Sequence, residues 1–136
     1  MKRIASSVVV GVFLLTSVLV GTAGGHTFVS DTSLSRGKVP RGATDPGDRV
    51  IIFGRLKSPR PLCRSNKLIR LMRVRPGPDK VLARDRTDAE GDYRFVRHPS
   101  RDQTVYTRFS GTFFSNYGHS HRCLSSRSRN RVIRIN

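Results

Sequence analysis

The stretch Thr87-Asp88-Ala89-Glu90-Gly91-Asp92-Tyr93-Arg94-Phe95 decides the fold class of this chain. Its first half is polar and contains Gly91, which can supply the positive φ angle of a tight turn. Its second half places Tyr93 and Phe95 two residues apart with Arg94 between them, which is the spacing of one buried face of a β-strand. The stretch therefore predicts a chain reversal followed by a half-buried strand.

Further runs with the same period of two lie on both sides of this stretch. Turn residues separate them, and Pro76-Gly77-Pro78-Asp79 is the clearest example. After the first 25 residues, no segment longer than ten residues has a helical period. About six short strands with short connections are typical of an antiparallel β-sandwich, so the chain is predicted to be all-β. The further strands are predicted at residues 50–56, 68–75, 80–86, 104–109 and 131–135.

The first 25 residues differ in composition from the rest and predict export. Lys2 and Arg3 precede an apolar run at residues 8–20, and small residues follow it. This order of parts is typical of a secretory signal peptide, here residues 1–23 with cleavage after Ala23. The apolar run is shorter than the ~20 residues of a transmembrane helix. We therefore expect a secreted, extracellular protein that keeps no transmembrane segment after cleavage.

The remainder divides into a polar arm and one domain. Residues 24–47 are rich in Gly, Ser, Thr, Asp and Pro, which predicts a flexible arm or linker with one short strand at residues 27–29. Residues 48–136 carry the alternating runs and form the predicted β-sandwich domain. Removal of the 23 leader residues from the 136 leaves 113, which is enough for one small domain.

The chain is strongly basic, with 26 Lys and Arg against nine Asp and Glu and a formal net charge of +17. Loss of the two basic residues of the leader lowers this charge to +15. All but five of the basic residues are Arg, whose guanidinium forms paired hydrogen bonds with phosphate and carboxylate groups. We therefore expect attraction to an anionic surface polymer or to a partner protein. The alternative is a basic surface that serves only solubility.

The two cysteines, Cys63 and Cys123, predict a disulfide. An even pair in an exported chain is usually oxidised, and the pair forms no C-x-x-C motif. Closure of a loop of about 60 residues stabilises a fold by up to ~4 kcal/mol in the chain-entropy model. Unpaired thiols are the alternative.

These elements together resemble a group of secreted domains, namely the transthyretin-like, carboxypeptidase-regulatory-like and bacterial Ig-like β-sandwich modules. The resemblance covers residues 48–136 and implies an Ig-like or transthyretin-like sandwich. Most such modules are non-catalytic spacer, adhesion or binding units, so the resemblance implies a binding role rather than an enzyme. The patterns that carry it are V-x-I-x-G-x-L at Val50–Leu56, I-x-L-x-R at Ile69–Arg73, T-D-x-x-G-x-Y-x-F at Thr87–Phe95 and F-x-G at Phe109–Gly111.

The segment Tyr117-Gly118-His119-Ser120-His121-Arg122-Cys123 is the main candidate for other chemistry. On a strand, His119 and His121 would share one face and could supply two metal ligands. Their Gly, Ser and Arg neighbours favour a polar loop tethered by the disulfide, so no metal and no cofactor is expected. A small cationic hydrolase, nuclease-like and with His98 and His119 as acid and base, is the alternative function of a different class.

Acidic residues cluster around one turn, at Asp85, Asp88, Glu90 and Asp92. A calcium site is one interpretation, but the arginines interleaved with these residues favour salt bridges. The chain contains no Gly-rich phosphate loop and no H-E-x-x-H, G-x-S-x-G or calcium-loop pattern.

A basic sheet face is the most specific functional prediction. Several arginines alternate with apolar residues along the predicted strands and are expected to share an exposed face that binds polyanions. Aromatic residues near Cys123 could add stacking surface, although core packing is favoured for Phe113 and Phe114. No nucleic-acid-binding motif accompanies the charge, so nucleic acid is not expected as a specific ligand. The predicted binding arginines are Arg70, Arg84, Arg94 and Arg108, and the other aromatics are Tyr106 and Tyr117.

Overall fold

A computed structural model describes residues 26–136, and the predicted signal peptide lies outside this range. In the described range the chain is all-β, which confirms the predicted fold class. No helix in this range is long and apolar enough to cross a membrane. The strands are β1 (Thr27–Ser30), β2 (Ser33–Leu34), β3 (Gly37–Val39), β4 (Val50–Lys57), β5 (Leu68–Arg73), β6 (Lys80–Arg86), β7 (Asp92–Arg97), β8 (Gln103–Phe109), β9 (Thr112–Asn116), β10 (His119–Cys123), β11 (Ser126–Arg127) and β12 (Arg131–Ile133), with a 3₁₀ turn at Pro61–Cys63.

Two antiparallel sheets form the sandwich. In sheet 1 the strands run in the order β6-β5-β8, and both β11 and β12 pair with the outer side of β8. In sheet 2, β4 pairs with β7 on one side and with β2 and β3 on the other. The predicted runs at residues 50–56, 68–75, 80–86, 104–109 and 131–135 all contain strands of these two sheets. Their alternation therefore predicted the sandwich correctly.

The core lies between these sheets and follows the period of two. Ile69 and Leu71 of β5 are fully buried, as are Val50, Ile52 and Leu56 of β4. Each such aliphatic side chain contributes about 1.5–3 kcal/mol by leaving water. The remaining core residues come mainly from three other strands. They are Tyr93 and Phe95 of β7, Val105 and Phe109 of β8, and Ile133 of β12.

The turn at residues 88–91, before β7, has the predicted form. Asp88 Oδ1 accepts hydrogen bonds from the N–H groups of Glu90 and Asp92, at 3.0 and 2.8 Å. Gly91 has a φ of +96°, and a Cβ at this position would lie 2.3 Å from the carbonyl oxygen of Leu56. The glycine is therefore required both for its φ angle and for the close approach of β4.

Cys63 and Cys123 form the predicted disulfide, with Cα atoms 5.4 Å apart. The bond joins the 3₁₀ turn to the end of β10, and both cysteines are buried in the core. It therefore ties the segment between β4 and β5 to a third sheet.

That third sheet, with the order β1-β10-β9, was only partly predicted. Its strand β1 matches the short strand expected at residues 27–29, but it pairs with β10 in parallel. The segment treated as a flexible arm also supplies β2 and β3, which pair with β4. Lys38 of β3 is only 4% exposed, so this segment packs against the domain.

Residues 112–123 form a hairpin, so the polar loop expected at residues 117–123 is wrong. Strands β9 and β10 are joined by Tyr117 and Gly118, whose φ angles are +45° and +77°. Two positive φ angles between paired strands are the signature of a type I′ turn. His119 and His121 therefore lie on a strand.

Candidate functional site

Four arginines form one row across the outer face of sheet 1. Arg70 of β5 lies opposite Arg84 of β6 on one side and opposite Arg108 of β8 on the other. Arg108 in turn lies opposite Arg127 of β11. Because the neighbours of Arg70 along β5 are buried core residues, Arg70 and its cross-strand partners face outward. We call Arg84, Arg70, Arg108 and Arg127 the basic row.

The row is accessible and regularly spaced. Arg84, Arg108 and Arg127 are exposed, and Arg70 is half-buried. Neighbouring strands lie about 4.8 Å apart, so the backbone positions of the four arginines span roughly 14 Å across the sheet. The row therefore places four positively charged side chains next to one another on four neighbouring strands.

Neutral groups hold two members of the row in place. Arg70 Nη1 donates a hydrogen bond to Ser110 Oγ at 2.6 Å. The Arg127 guanidinium lies 3.7 Å from the centroid of the Tyr106 ring, and its Nη2 donates to Asn130 Oδ1 at 2.9 Å. These contacts orient the guanidinium groups without neutralising them.

One carboxylate lies near the Arg127 end of the row but is engaged by other groups. Asp79 accepts hydrogen bonds from the Tyr106 hydroxyl at 2.7 Å and from the Arg75 N–H at 3.2 Å. These two bonds, followed by the charges of Arg127 and Arg75, lower the pKa of Asp79 below its ordinary value. Asp79 is therefore a charged acceptor for Tyr106, which lies buried beneath Arg127.

The basic row is electrostatically unfavourable for the isolated protein. Like charges directly opposite each other on neighbouring strands destabilise a sheet, and the row contains three such pairs. Within residues 26–136 the only ion pair joins Arg55 to Asp92. No arginine of the row therefore forms an ion pair within the described residues, and only Asp79 interacts with Arg127 through its charge.

The predicted binding arginines are only partly brought together. Arg70, Arg84 and Arg108 are members of the row, whereas Arg94 lies on β7 of sheet 2, opposite Phe53. Arg127 was missed because its strand contains only two residues and has no readable alternation. Its position became apparent only from the pairing with β8.

Backbone N–H groups and one arginine hold the acidic residues that cluster between positions 85 and 92. Asp85 accepts hydrogen bonds from the N–H groups of Arg86 and Arg94, each at 2.8 Å. Asp92 forms its ion pair with Arg55, which lowers the pKa of Asp92. The predicted salt bridge is therefore present. Its arginine, Arg55, lies on β4 and is not one of the arginines interleaved with the acidic residues.

His121 lies between two phenylalanine rings on the face of sheet 3 that carries Cys123. Its ring centroid is 5.2 Å from that of Phe28 on β1 and 5.0 Å from that of Phe114 on β9. The rings are nearly parallel, with interplanar angles of 20° and 17°. Arg60 and Lys67 lie over the outer phenylalanines, at 4.6 Å and 5.6 Å. These stacked rings pack on this face of the hairpin, where His121 is half-buried and Phe28 is 36% exposed.

The histidines make separate contacts. His98 Nδ1 lies 3.0 Å from the carbonyl oxygen of Gly47, whereas the His119 ring stacks with His26 at 6.4 Å. The two members of the predicted acid–base pair therefore contact different segments. In the described part of the chain, no group of three or more His, Cys, Asp or Glu side chains lies close enough to hold a metal ion.

The aromatic residues near Cys123 differ in exposure. Phe114 packs against the core as expected, but Phe113 is 67% exposed, so core packing is wrong for Phe113. Its neighbours across sheet 3 are Arg122 and Val29, which are also exposed. Tyr117 projects from the hairpin turn and is 95% exposed.

Comparison of the whole chain with models of known families and with curated proteins finds no match.

Proposed function

We propose that this chain is a secreted, non-enzymatic β-sandwich module that binds an anionic polymer of the cell envelope through the basic row. The observation that carries the proposal is the register of sheet 1, which aligns four arginines without a carboxylate among them. A chain that needed only solubility would gain stability from alternating opposite charges at these positions. A bound polyanion would remove the same repulsion.

The geometry favours a polymer over a compact acidic partner. Each guanidinium in the row can form paired hydrogen bonds to a phosphate, sulfate or carboxylate group. A chain with a charged group on successive units can run along the row and contact several arginines at once. A partner protein would have to supply a matching row of acids on a complementary surface.

The proposal includes secretion of the protein and its assignment to the transthyretin-like or Ig-like modules. The apolar leader and the disulfide support an extracellular location, where cysteine pairs persist in oxidised form. The turn at Asp88–Gly91 and the order of the sandwich strands support a transthyretin-like or Ig-like module. Such modules most often bind or connect rather than catalyse.

The test is retention on a panel of immobilised polymers across a salt series. The oxidised protein, purified after expression of the full chain, is applied to polyphosphate, a polyuronate, a sulfated polysaccharide, single-stranded DNA and neutral dextran. Saturable binding to one class of anionic polymer, without breakdown of the polymer, supports the proposal. If the protein binds every polyanion equally, and the same salt concentration abolishes binding to each of them, the attraction is due to generic charge. Breakdown of any polymer would support the hydrolase alternative.

A further inference from the structure

A second group of arginines surrounds a cavity at another part of the sandwich. The cavity has a volume of about 390 Å³ and lies where the segment after β2 meets the segment around β12. Four of its lining residues are arginines, and no Asp or Glu lines it. The arginines are Arg36, Arg41, Arg131 and Arg134.

Backbone hydrogen bonds fix the two walls of this cavity to each other. The Thr44 N–H donates to the carbonyl oxygen of Arg134 at 3.1 Å, and the Asn136 N–H donates to that of Thr44 at 2.9 Å. Thr44 and Ile135 also form a parallel bridge. Backbone contacts therefore hold together the two segments whose arginines line the cavity.

Within residues 26–136, no carboxylate forms an ion pair with the cations around this cavity. Arg36 Nε and Nη1 are inaccessible to water and have no hydrogen-bond partner among these residues. Lys38, directly behind this wall, is buried and donates from Nζ to the carbonyl oxygen of Gly42 at 2.7 Å. Burial, followed by the charge of Arg131, lowers the pKa of both Arg36 and Lys38. Buried donors and unpaired charges destabilise a fold unless an acceptor reaches them.

We propose that this cavity is a binding site for a phosphate or sulfate group carried on a small molecule or on a lipid headgroup. Several guanidinium groups that converge from two chain segments match a tetrahedral anion, which offers more than two acceptor oxygens and up to two negative charges. A carboxylate is satisfied by a single two-pronged arginine. The cavity volume exceeds that of a bare phosphate and lies in the range of about 300–1,000 Å³ that is typical of small-molecule sites. The site is separate from the basic row and does not depend on the proposed function.

The test measures binding of inorganic phosphate and sulfate to the full-length chain by titration calorimetry, with sodium chloride at equal ionic strength as the reference. We expect one saturable site per chain and a rise in the unfolding temperature that follows its occupancy. Arg41→Gln changes an exposed wall residue, so it should fold normally, and it should weaken phosphate binding by about tenfold. Arg94→Gln removes the same charge at an exposed position of β7, outside both the cavity and the basic row, and should leave phosphate binding unchanged.

Two further binding experiments identify the molecule that carries the anionic group. Tighter binding of glycerol 3-phosphate than of inorganic phosphate supports a soluble phosphate ester. Capture by vesicles that contain phosphatidic acid, blocked by free phosphate and lost in Arg41→Gln, supports a lipid headgroup. Equal effects of Arg41→Gln and Arg94→Gln, or a response that follows ionic strength without saturation, would overturn the inference.

Discussion

Arg70 lies directly opposite Arg108 across β5 and β8, and both side chains leave the same outer face of sheet 1. Arg84 and Arg127 extend this pairing by one strand on each side. The sandwich therefore carries a row of like charges at positions where opposite charges would stabilise it. In the proposed function, a bound polyanion removes this repulsion.

Reversal of the charge at the middle of the row should separate stability from binding. Arg70→Glu creates opposite-charge pairs with Arg84 and Arg108, so the free energy of unfolding should rise by roughly 1 kcal/mol. For a domain of this size, that gain corresponds to an unfolding temperature about 4 °C higher. Affinity for the polymer should fall in the same variant. Urea unfolding and polymer titration measure the two effects.

The matched control for this experiment is Arg94→Glu. Arg94 is exposed and lies opposite Phe53, so its reversal creates no cross-strand ion pair in sheet 2. Both variants change the net charge equally. A loss of stability in Arg70→Glu, or equal loss of polymer binding in the two variants, would contradict this account of the row.

The disulfide should account for a large part of the stability of the domain. Its cysteines are 60 residues apart in sequence, and removal of a bond that closes such a loop costs about 4 kcal/mol in the chain-entropy model. We expect the double variant Cys63→Ala/Cys123→Ala to lose stability by this order in urea unfolding. Hydrogen exchange should accelerate more in β10 than in β5, because the bond anchors β10 directly. Equal urea midpoints for the oxidised protein and the double variant would refute this role.

Tyr93 connects the two sheets through its hydroxyl. The hydroxyl donates to the Ser35 carbonyl oxygen at 2.6 Å and lies 2.8 Å from Thr107 Oγ1, which is fully buried. Tyr93→Phe leaves both groups without this partner, so the free energy of unfolding should fall by about 1–3 kcal/mol. Thermal or urea unfolding measures the loss. A variant as stable as the natural protein would show that the bridge contributes nothing.

The same hydroxyl predicts a dependence on alkaline pH. Burial raises the pKa of Tyr93 above its ordinary value of about 10. Its contribution is therefore fully present below about pH 10 and is lost as pH rises through the folded-state pKa, because only the unfolded chain releases the proton easily. The stability difference between the natural protein and Tyr93→Phe should shrink above pH 10. A constant difference would contradict the pKa direction.

The histidine variants distinguish a binding module from a hydrolase. His98→Ala and His119→Ala lie outside the basic row, so polymer affinity should be unchanged in both. A hydrolase that used either residue as general acid or base would lose roughly 100-fold or more in turnover. Polymer breakdown by the natural protein that either variant abolished would reject the non-enzymatic proposal.

The sandwich was predictable because its strands alternate aliphatic and polar residues. Strand β4 is predicted by the alternating positions of Val50, Ile52 and Leu56, and β7 is predicted by the turn before Tyr93. The hairpin of β9 and β10 was not predicted, because its packed face contains His121 between aromatic rings instead of a run of aliphatic residues. Packing of a half-buried imidazole between aromatic rings leaves no hydrophobic period in the sequence.

The sites were less predictable than the fold, because both depend on register and on contacts between distant segments. Arg70, Arg84 and Arg108 could be assigned to strands, but nothing in the sequence shows that they lie opposite one another. The bulge between Leu71 and Met72 shifts the pairing of β5 with β6, and alternation does not reveal such a shift. The cavity joins residues almost 100 positions apart, from Arg36 to Arg134.

The central claim is tested most directly by the salt dependence of polymer binding in matched variants. The slope of log K against log salt concentration reports how many anionic groups of the polymer the protein engages. With the most tightly retained polymer of the panel, Arg70→Gln/Arg108→Gln should reduce this slope by about two, one for each lost contact. Arg94→Gln/Arg101→Gln, which removes the same charge outside the row, should leave it unchanged. Equal slopes in the two double variants would contradict a binding site on the basic row.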